Sequence, residues 1–285
     1  ALIQIYWQDT LLAGLPQAWS LNTELTFYLF LPVWATALRH VGRSRQNVLR
    51  AQYVGCVVLY LGALGFRAWL RWDGRDLGYT WLPAHFDAFA LGMAMAVASA
   101  AGAARRSAGD KRWRADGAPG VIGQLADRPA LALGGAVFAY GGVVALDMPI
   151  GFDSPTVVQE VAHQVLFGLV ALLVVLPGAF GDARGWWRRL LASRPLHGLG
   201  VVSYGLYLWH ITTLYEIDRR WWPEGPTASA SVVTTLWLAL WATVAATLVA
   251  LASWWVVERP LVEQARRFRL GGRRLDGPPS DTSQR

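Results

Sequence analysis

Residues 157–180 read VVQEVAHQVLFGLVALLVVLPGAF. The run is continuously apolar rather than alternating, and its 24 residues exceed the roughly 20 that a helix needs to cross a bilayer core. In lipid only helices and closed barrels satisfy the backbone, so an unbroken run of this length predicts a membrane helix. Six further stretches read the same way: Leu21–Leu38, Gln52–Phe66, Trp81–Ala101, Ala130–Leu146, Leu199–Ile217 and Ser231–Val257. The expected fold is all-α, a polytopic bundle of about seven transmembrane helices. Residues 1–265 are expected to form the membrane domain. The polar stretch 266–285, rich in Arg, Gly and Pro, reads as a disordered tail.

Composition agrees. Of 285 residues, 54% are hydrophobic and 16% charged, against about 45–50% and about 25% in soluble domains. That excludes a disordered chain, a collagen-like chain and an ordinary soluble enzyme. The 16 Trp fit a membrane interface. The single cysteine, Cys56, lies in an apolar run, which excludes a disulfide framework and a cysteine metal cluster.

The net charge is +7. Nucleic acid is one partner for a basic chain, but the placement of the charges argues otherwise. Taken along the chain, the connections alternate between none, three, none and two Lys+Arg on one side, and four, six, four and seven on the other. The positive-inside rule then places the tail in the cytoplasm and the start of the chain outside. Each arginine loop is thus a topology signal. It is also a candidate phosphate site, because guanidinium matches phosphate geometry.

Ionisable residues inside such spans are expensive and point to function by default. Glu24, in Trp19-Ser20-Leu21-Asn22-Thr23-Glu24, falls at the outer mouth of the first span. It reads either as a first-turn acid behind a Ser20 N-cap or as a carboxylate that orients a base or accepts a proton. His85-Phe86-Asp87 opens the third span and puts Asp87 about 10 Å below the outer surface. A helix-tying hydrogen bond is the alternative there. Ser203, Tyr207 and His210 stand at i, i+4 and i+7 and form one polar stripe, either a tunnel lining or an interhelical contact. His163 reads as a core histidine. In Glu258-Arg259-Pro260, the proline is expected to end the last helix. No phosphate loop, nucleophile elbow or zinc spacing is present.

Several patches carry a resemblance. Trp19-Ser20-Leu21-x-x-Glu24-x-x-Phe27-Tyr28-x-x-Leu31-Pro32 resembles a signature of the acyltransferase-3 family of bacterial membrane O-acyltransferases. So do Phe86-Asp87-Ala88-Phe89-Ala90-Leu91-Gly92-Met93 and the run Leu199–His210. The closing Ser253-x-x-x-x-Glu258-Arg259-Pro260-Leu261 is similar to that family's end. His85 stands where the family often carries arginine. The resemblance implies about ten helices with a cytoplasmic start, so that this chain is the later part of a longer protein. The family's proposed base, a histidine on its first helix, would then lie upstream of Ala1.

What the resemblance implies is transfer of an acetyl or other short acyl group from cytoplasmic acyl-CoA to a hydroxyl of a cell-envelope carbohydrate or glycolipid. Acyl-CoA is then a co-substrate rather than a bound cofactor, with no metal and no nucleic acid. Glu24, His210 and Asp87 are the catalytic candidates. Ser203, Tyr207, His85 and Trp19 are the substrate-binding candidates. The place implied is the cell membrane, with the C-terminus cytoplasmic. A secondary transporter using the same buried acids, or an inactive membrane remnant, remains open at this level.

Overall fold

The computed structural model describes residues 17–41, 44–107, 120–149, 154–221 and 232–264. Among these residues every regular element is helical. The chain divides into two compact units, Ala1–Leu196 and His197–Arg285. The proposed tail, 266–285, lies outside the described residues.

In the first unit, α1 spans Ala18–Val41 and α2 Arg45–Asp73. Two 3₁₀ turns, Asp76–Thr80 and Leu82–His85, lead into α3, Phe86–Ser107. Then come α4 (Gly120–Ala126), α5 (Pro129–Ala145), α6 (Val157–Phe180) and the short α7 (Trp186–Leu191). Local chemistry sets the ends. Ser44 accepts from the Asn47 N–H and starts α2, while Gly74 takes the left-handed φ of 68° that closes it. Thr156 and Gln159 form a reciprocal capping box at the start of α6. Ser20 is not a cap. The helix begins two residues earlier, so the Ser20 hydroxyl donates to the Gln17 carbonyl and Glu24 falls beyond the first turn.

The packing puts small residues inside and large ones outside. On α5, Ala132, Ala136, Ala139 and Val143 are buried, whereas Val137 and Phe138 are 73% and 86% exposed. Cβ atoms at Gly135 and Gly142 would stand 3.3 Å from Leu173 and Leu166 of α6. Close approach through small residues is how helices associate where lipid removes the hydrophobic drive between them. Larger side chains fill two clusters. Cys56, Leu59 and Ala90 pack with Phe30 and Trp34, and Ala126, Leu176 and Phe180 pack with Met95.

Each of the seven expected spans falls on a helix among the described residues. Four are both long and apolar enough to cross a membrane: Gln46–Asp73, Leu82–Arg105, Val157–Phe180 and Val233–Gln264. Pro129–Ala145 is apolar but has 17 residues, at the lower edge of what a bilayer requires. The helices α1 (24 residues) and α8 (28 residues) are long but carry polar groups along their length, among them Asn22, Glu24, His210 and Asp218.

In the second unit, α8 (Arg194–Trp221) packs on α9 (Val232–Ser253). The buried Ala242, Ala246 and Ala250 of α9 share one face at four-residue spacing, and Val202 and Gly205 are the buried residues of α8. The Thr213 hydroxyl donates to the Ala242 carbonyl across the pair. Pro260 does not end the last helix as its type suggests. The chain widens into a π-turn over Trp254–Glu258, where the Arg259 N–H reaches the Trp254 carbonyl, and helix continues to residue 264. The wider turn tolerates a proline that a regular helix would reject. Arg259 pairs with Glu263 at 2.9 Å rather than with Glu258.

A Cβ at Gly205 would stand 3.3 Å from the Ala250 Cα, a backbone atom that cannot step aside. Gly205→Leu should therefore separate α8 from α9 and destabilise the unit by about 1–3 kcal/mol. Thermal unfolding in detergent followed by tryptophan fluorescence reads this, and an unshifted midpoint would show that the helices do not approach there.

Candidate functional site

One end of the first unit gathers the polar side chains. The C-terminal part of α2, the 3₁₀ turns, and the N-termini of α1, α3 and α6 meet there. Arg39, Arg50, Arg105 and Arg128 occupy helix ends at the opposite face. That separation reproduces in three dimensions what the charge alternation implies, with one correction. Arg67, counted above with a connection, is 7% exposed inside α2.

Arg67 is the hub. Its Nη1 donates to Glu160 Oε1 on α6 at 3.1 Å, and its Nε donates to the Ala84 carbonyl at 2.7 Å. Its guanidinium lies 5.6 Å from the Tyr79 ring centroid. The neighbours fix the amide of Gln164, one turn beyond Glu160. Its Oε1 accepts from Arg67 Nη1 at 3.1 Å, and its Nε2 donates to Asp87 Oδ2 at 3.2 Å. Asp87 Oδ1 accepts from the Ala88 N–H at 2.8 Å, in the first turn of α3 where the helix dipole favours an anion. The result is a line of contacts, Glu160, Arg67, Gln164 and Asp87, holding one cation between two carboxylates. Asp87 is 5% exposed and Glu160 8%.

Asp87 and Gln164 also stand at one end of a cavity of about 360 Å³ between α3 and α6, with Tyr60 of α2 in its wall. The other nine lining residues are apolar, glycine and alanine among them. A carboxylate with two of its about four lone-pair positions occupied can still accept hydrogen bonds from a donor in that cavity.

His85 is not in the cavity lining. Its Nε2 lies 2.8 Å from the Tyr79 carbonyl, and its ring centroid 5.4 Å from that of Trp19. The Thr23 hydroxyl donates to the Thr80 carbonyl at 2.8 Å, so this cluster ties α1 to the turns before α3. Glu24 is exposed on α1, on a different face from the buried Asn22, Thr23 and Phe27. The structure therefore joins Asp87 to the cavity and leaves Glu24 outside it.

In the second unit, Ser203, Tyr207 and His210 share a face, as their spacing implies. That face is turned away from α9. Ser203 and Tyr207 are exposed and His210 is half-buried. The Ser203 hydroxyl donates to the Gly200 carbonyl, and the His210 Nδ1 meets the Tyr207 carbonyl, with 5.5 Å between the two ring centroids. The sequence predicts a core position for His163, but it is half-buried and packs against Phe167, which is itself 41% exposed.

A model of an acyltransferase domain matches residues 2–259. The chain belongs to the acyltransferase-3 family. No curated protein and no solved structure matches it. This acyltransferase is a membrane protein, by its family and its apolar helices. The transporter reading of the buried acids gives way to that membership.

Sequence reasoning missed Arg67, Glu160, Gln164 and Tyr60. Glu160 and Gln164 did leave a signal: an i, i+4 polar pair facing one side of an otherwise apolar helix. Arg67 left none, since it directly follows an apolar stretch and reads as a flank.

Removing one partner of a buried ion pair strands the other charge, at a cost of about 3–5 kcal/mol, whereas replacing both with apolar residues is often neutral. In the acyltransferase, Glu160→Leu should lower stability by that amount. Adding Arg67→Met should return most of it. A double-substitution cycle of unfolding free energies measures the coupling, and additive losses would show that the pair does not interact.

Proposed function

We propose that this acyltransferase moves an acetyl or other short acyl group from acyl-CoA to a hydroxyl of a carbohydrate or glycolipid of the cell envelope, at the cell membrane. The observation that carries the proposal is Asp87: a carboxylate buried on the α3 N-terminus, anchored through Gln164 to Arg67, and open to a cavity. Acceptor-only chemistry at that position suits an incoming O–H group.

In the reaction, the acceptor oxygen attacks the thioester carbonyl and forms an ester C–O bond. The C–S bond breaks, CoA leaves as its thiol, and the proton lost by the hydroxyl balances that thiol. A hydroxyl is a weak nucleophile until a base draws its proton, and the developing oxyanion needs donors. Asp87 hydrogen-bonds the acceptor hydroxyl and aligns it. His85 and Trp19 lie outside the cavity and steady the turn that carries Asp87. Glu24 orients a base at the outer mouth. In the second unit, Ser203, Tyr207 and His210 offer hydrogen bonds to substrate from their own face of α8.

Arginine at the other end of the bundle suits the phosphates of CoA. On this reading the arginine end of the first unit faces the cytoplasm and its Asp87 end the envelope side, and the charge alternation along the chain supports a cytoplasmic C-terminus.

Membranes carrying the full-length protein should form acyl ester from labelled acetyl-CoA. Asp87→Asn keeps the shape but weakens the acceptor, and should lower kcat by about 100-fold or more. Unchanged turnover in Asp87→Asn would remove the carboxylate from the reaction, and unchanged turnover in Glu24→Gln and His210→Ala would remove those two.

Topology has its own check. With Cys56→Ala as background, Thr156→Cys should react with an impermeant maleimide added outside intact cells, and Ser107→Cys should not. Labelling of both from one side would refute the arrangement.

A further inference from the structure

Acyl transfer asks for two hydrogen-bonding groups of opposite kind. The attacking hydroxyl needs an acceptor, and the carbonyl oxygen that turns negative needs a donor. Asp87 meets the first need and, ionised, can only accept. Of the described side chains lining the cavity, Gln164 and Tyr60 carry the N–H and O–H donors, and Gln164 gives an N–H to Asp87. No described residue hydrogen-bonds the Tyr60 hydroxyl. Its ring packs against the cluster of Cys56, Leu59 and Ala90, which holds the phenol from behind while the side chain lines the cavity.

Gly168 fixes the depth of the hydroxyl. A Cβ there would stand 3.8 Å from the Tyr60 hydroxyl and 3.1 Å from Leu91. Gly168 is one helical turn beyond Gln164 on α6, and Leu91 one turn beyond Asp87 on α3. Both helices start at the Asp87 end, so the phenol lies about 6 Å deeper than the carboxylate. When a hydroxyl is poised for attack, its oxygen stands about 3–3.5 Å from the carbonyl carbon. A hydrogen bond of about 2.7 Å on either side then puts the outer groups roughly 6–8 Å apart, because the path bends at each oxygen. The carboxylate and the phenol have the spacing to hold the two ends of such a pair.

Resting on the acyl-transfer reading above, we infer that Tyr60 is a catalytic residue, whose hydroxyl donates to the thioester carbonyl oxygen and stabilises the oxyanion formed as the acceptor attacks. While the new C–O bond forms, the carbonyl π pair moves onto the oxygen that Tyr60 holds. When that pair returns, the C–S bond breaks and sulfur leaves with its electrons, taking up the proton that the acceptor lost. Tyr60 keeps its own proton throughout. The apolar Leu91 and Phe167 beside it lower the local dielectric, where such a bond counts for more than in water.

Tyr60→Phe keeps the ring in its cluster and removes the donor. In membranes bearing the full chain, with labelled acetyl-CoA and octyl glucoside as the acceptor probe, it should lower kcat by about 100- to 1000-fold. The KM for acetyl-CoA should stay within about twofold, since the contact is made in the transition state. Tyr140→Phe, on α5 and outside the cavity lining, should keep full turnover. Binding of two CoA analogues gives a second readout. Trifluoroacetonyl-CoA hydrates to a tetrahedral centre, whereas acetonyl-CoA keeps a planar ketone. Tyr60→Phe should weaken the first by about 100-fold and leave the second within about twofold.

Full kcat in Tyr60→Phe would overturn the assignment and leave acyl transfer standing. Equal weakening of both analogues together with a raised KM would also overturn it, because that pattern marks a packing role. If the unsubstituted protein formed no acyl ester and released no CoA thiol, the acyl-transfer reading would fall and this role with it.

Discussion

A buried guanidinium must find its counter-charges, and the first unit is arranged to supply them. Arg67 on α2 meets Glu160 on α6, the Ala84 carbonyl of the 3₁₀ turn and the Gln164 amide. Those contacts fix how far α2 and α6 slide past each other and where the turn before α3 sits. Asp87 follows that turn by two residues, so its position is inherited from Arg67. In a low-dielectric surrounding such bonds strengthen when complete and become expensive when any member is lost.

The rest of the unit serves this end of the bundle by keeping its interfaces thin. Alanine and glycine line the contacts of α5 with α6, and bulkier apolar groups face outward. Where the walls are spread instead, between α3 and α6, the cavity opens below the carboxylate. Close packing and open space are thus drawn from the same small residues, placed on different faces.

Much of this was legible in the residues. Continuous apolar runs located the long helices but not the short α4 and α7, and Val157–Phe180 came out with both ends correct because a Thr156 cap and Gly181 bracket it. The charge alternation foretold which ends cluster. Asp87 stood out as an acid in an apolar run. Its partners did not, since pairing across helices depends on how those helices dock, and no spacing within one segment encodes that. Glu24 shows the converse. It shares the first turns of α1 with Asn22 and Thr23, and a single helical step turns it to another face. At Ser20 and Pro260, residue-type rules were overridden by their neighbours, in one case by an earlier helix start and in the other by a widened turn.

That widened turn has a geometric corollary. A π-turn admits one extra residue into the helix, and each residue advances the wheel by about 100°. The face that Ala242, Ala246 and Ala250 define therefore does not continue beyond Glu258. Arg259, stacked 4.5 Å over Trp255, and its partner Glu263 are swung onto a fresh azimuth at the end of the described chain. One inserted residue thereby lets a single rod present an alkyl surface along its length and an ionic one at its tip, in different directions.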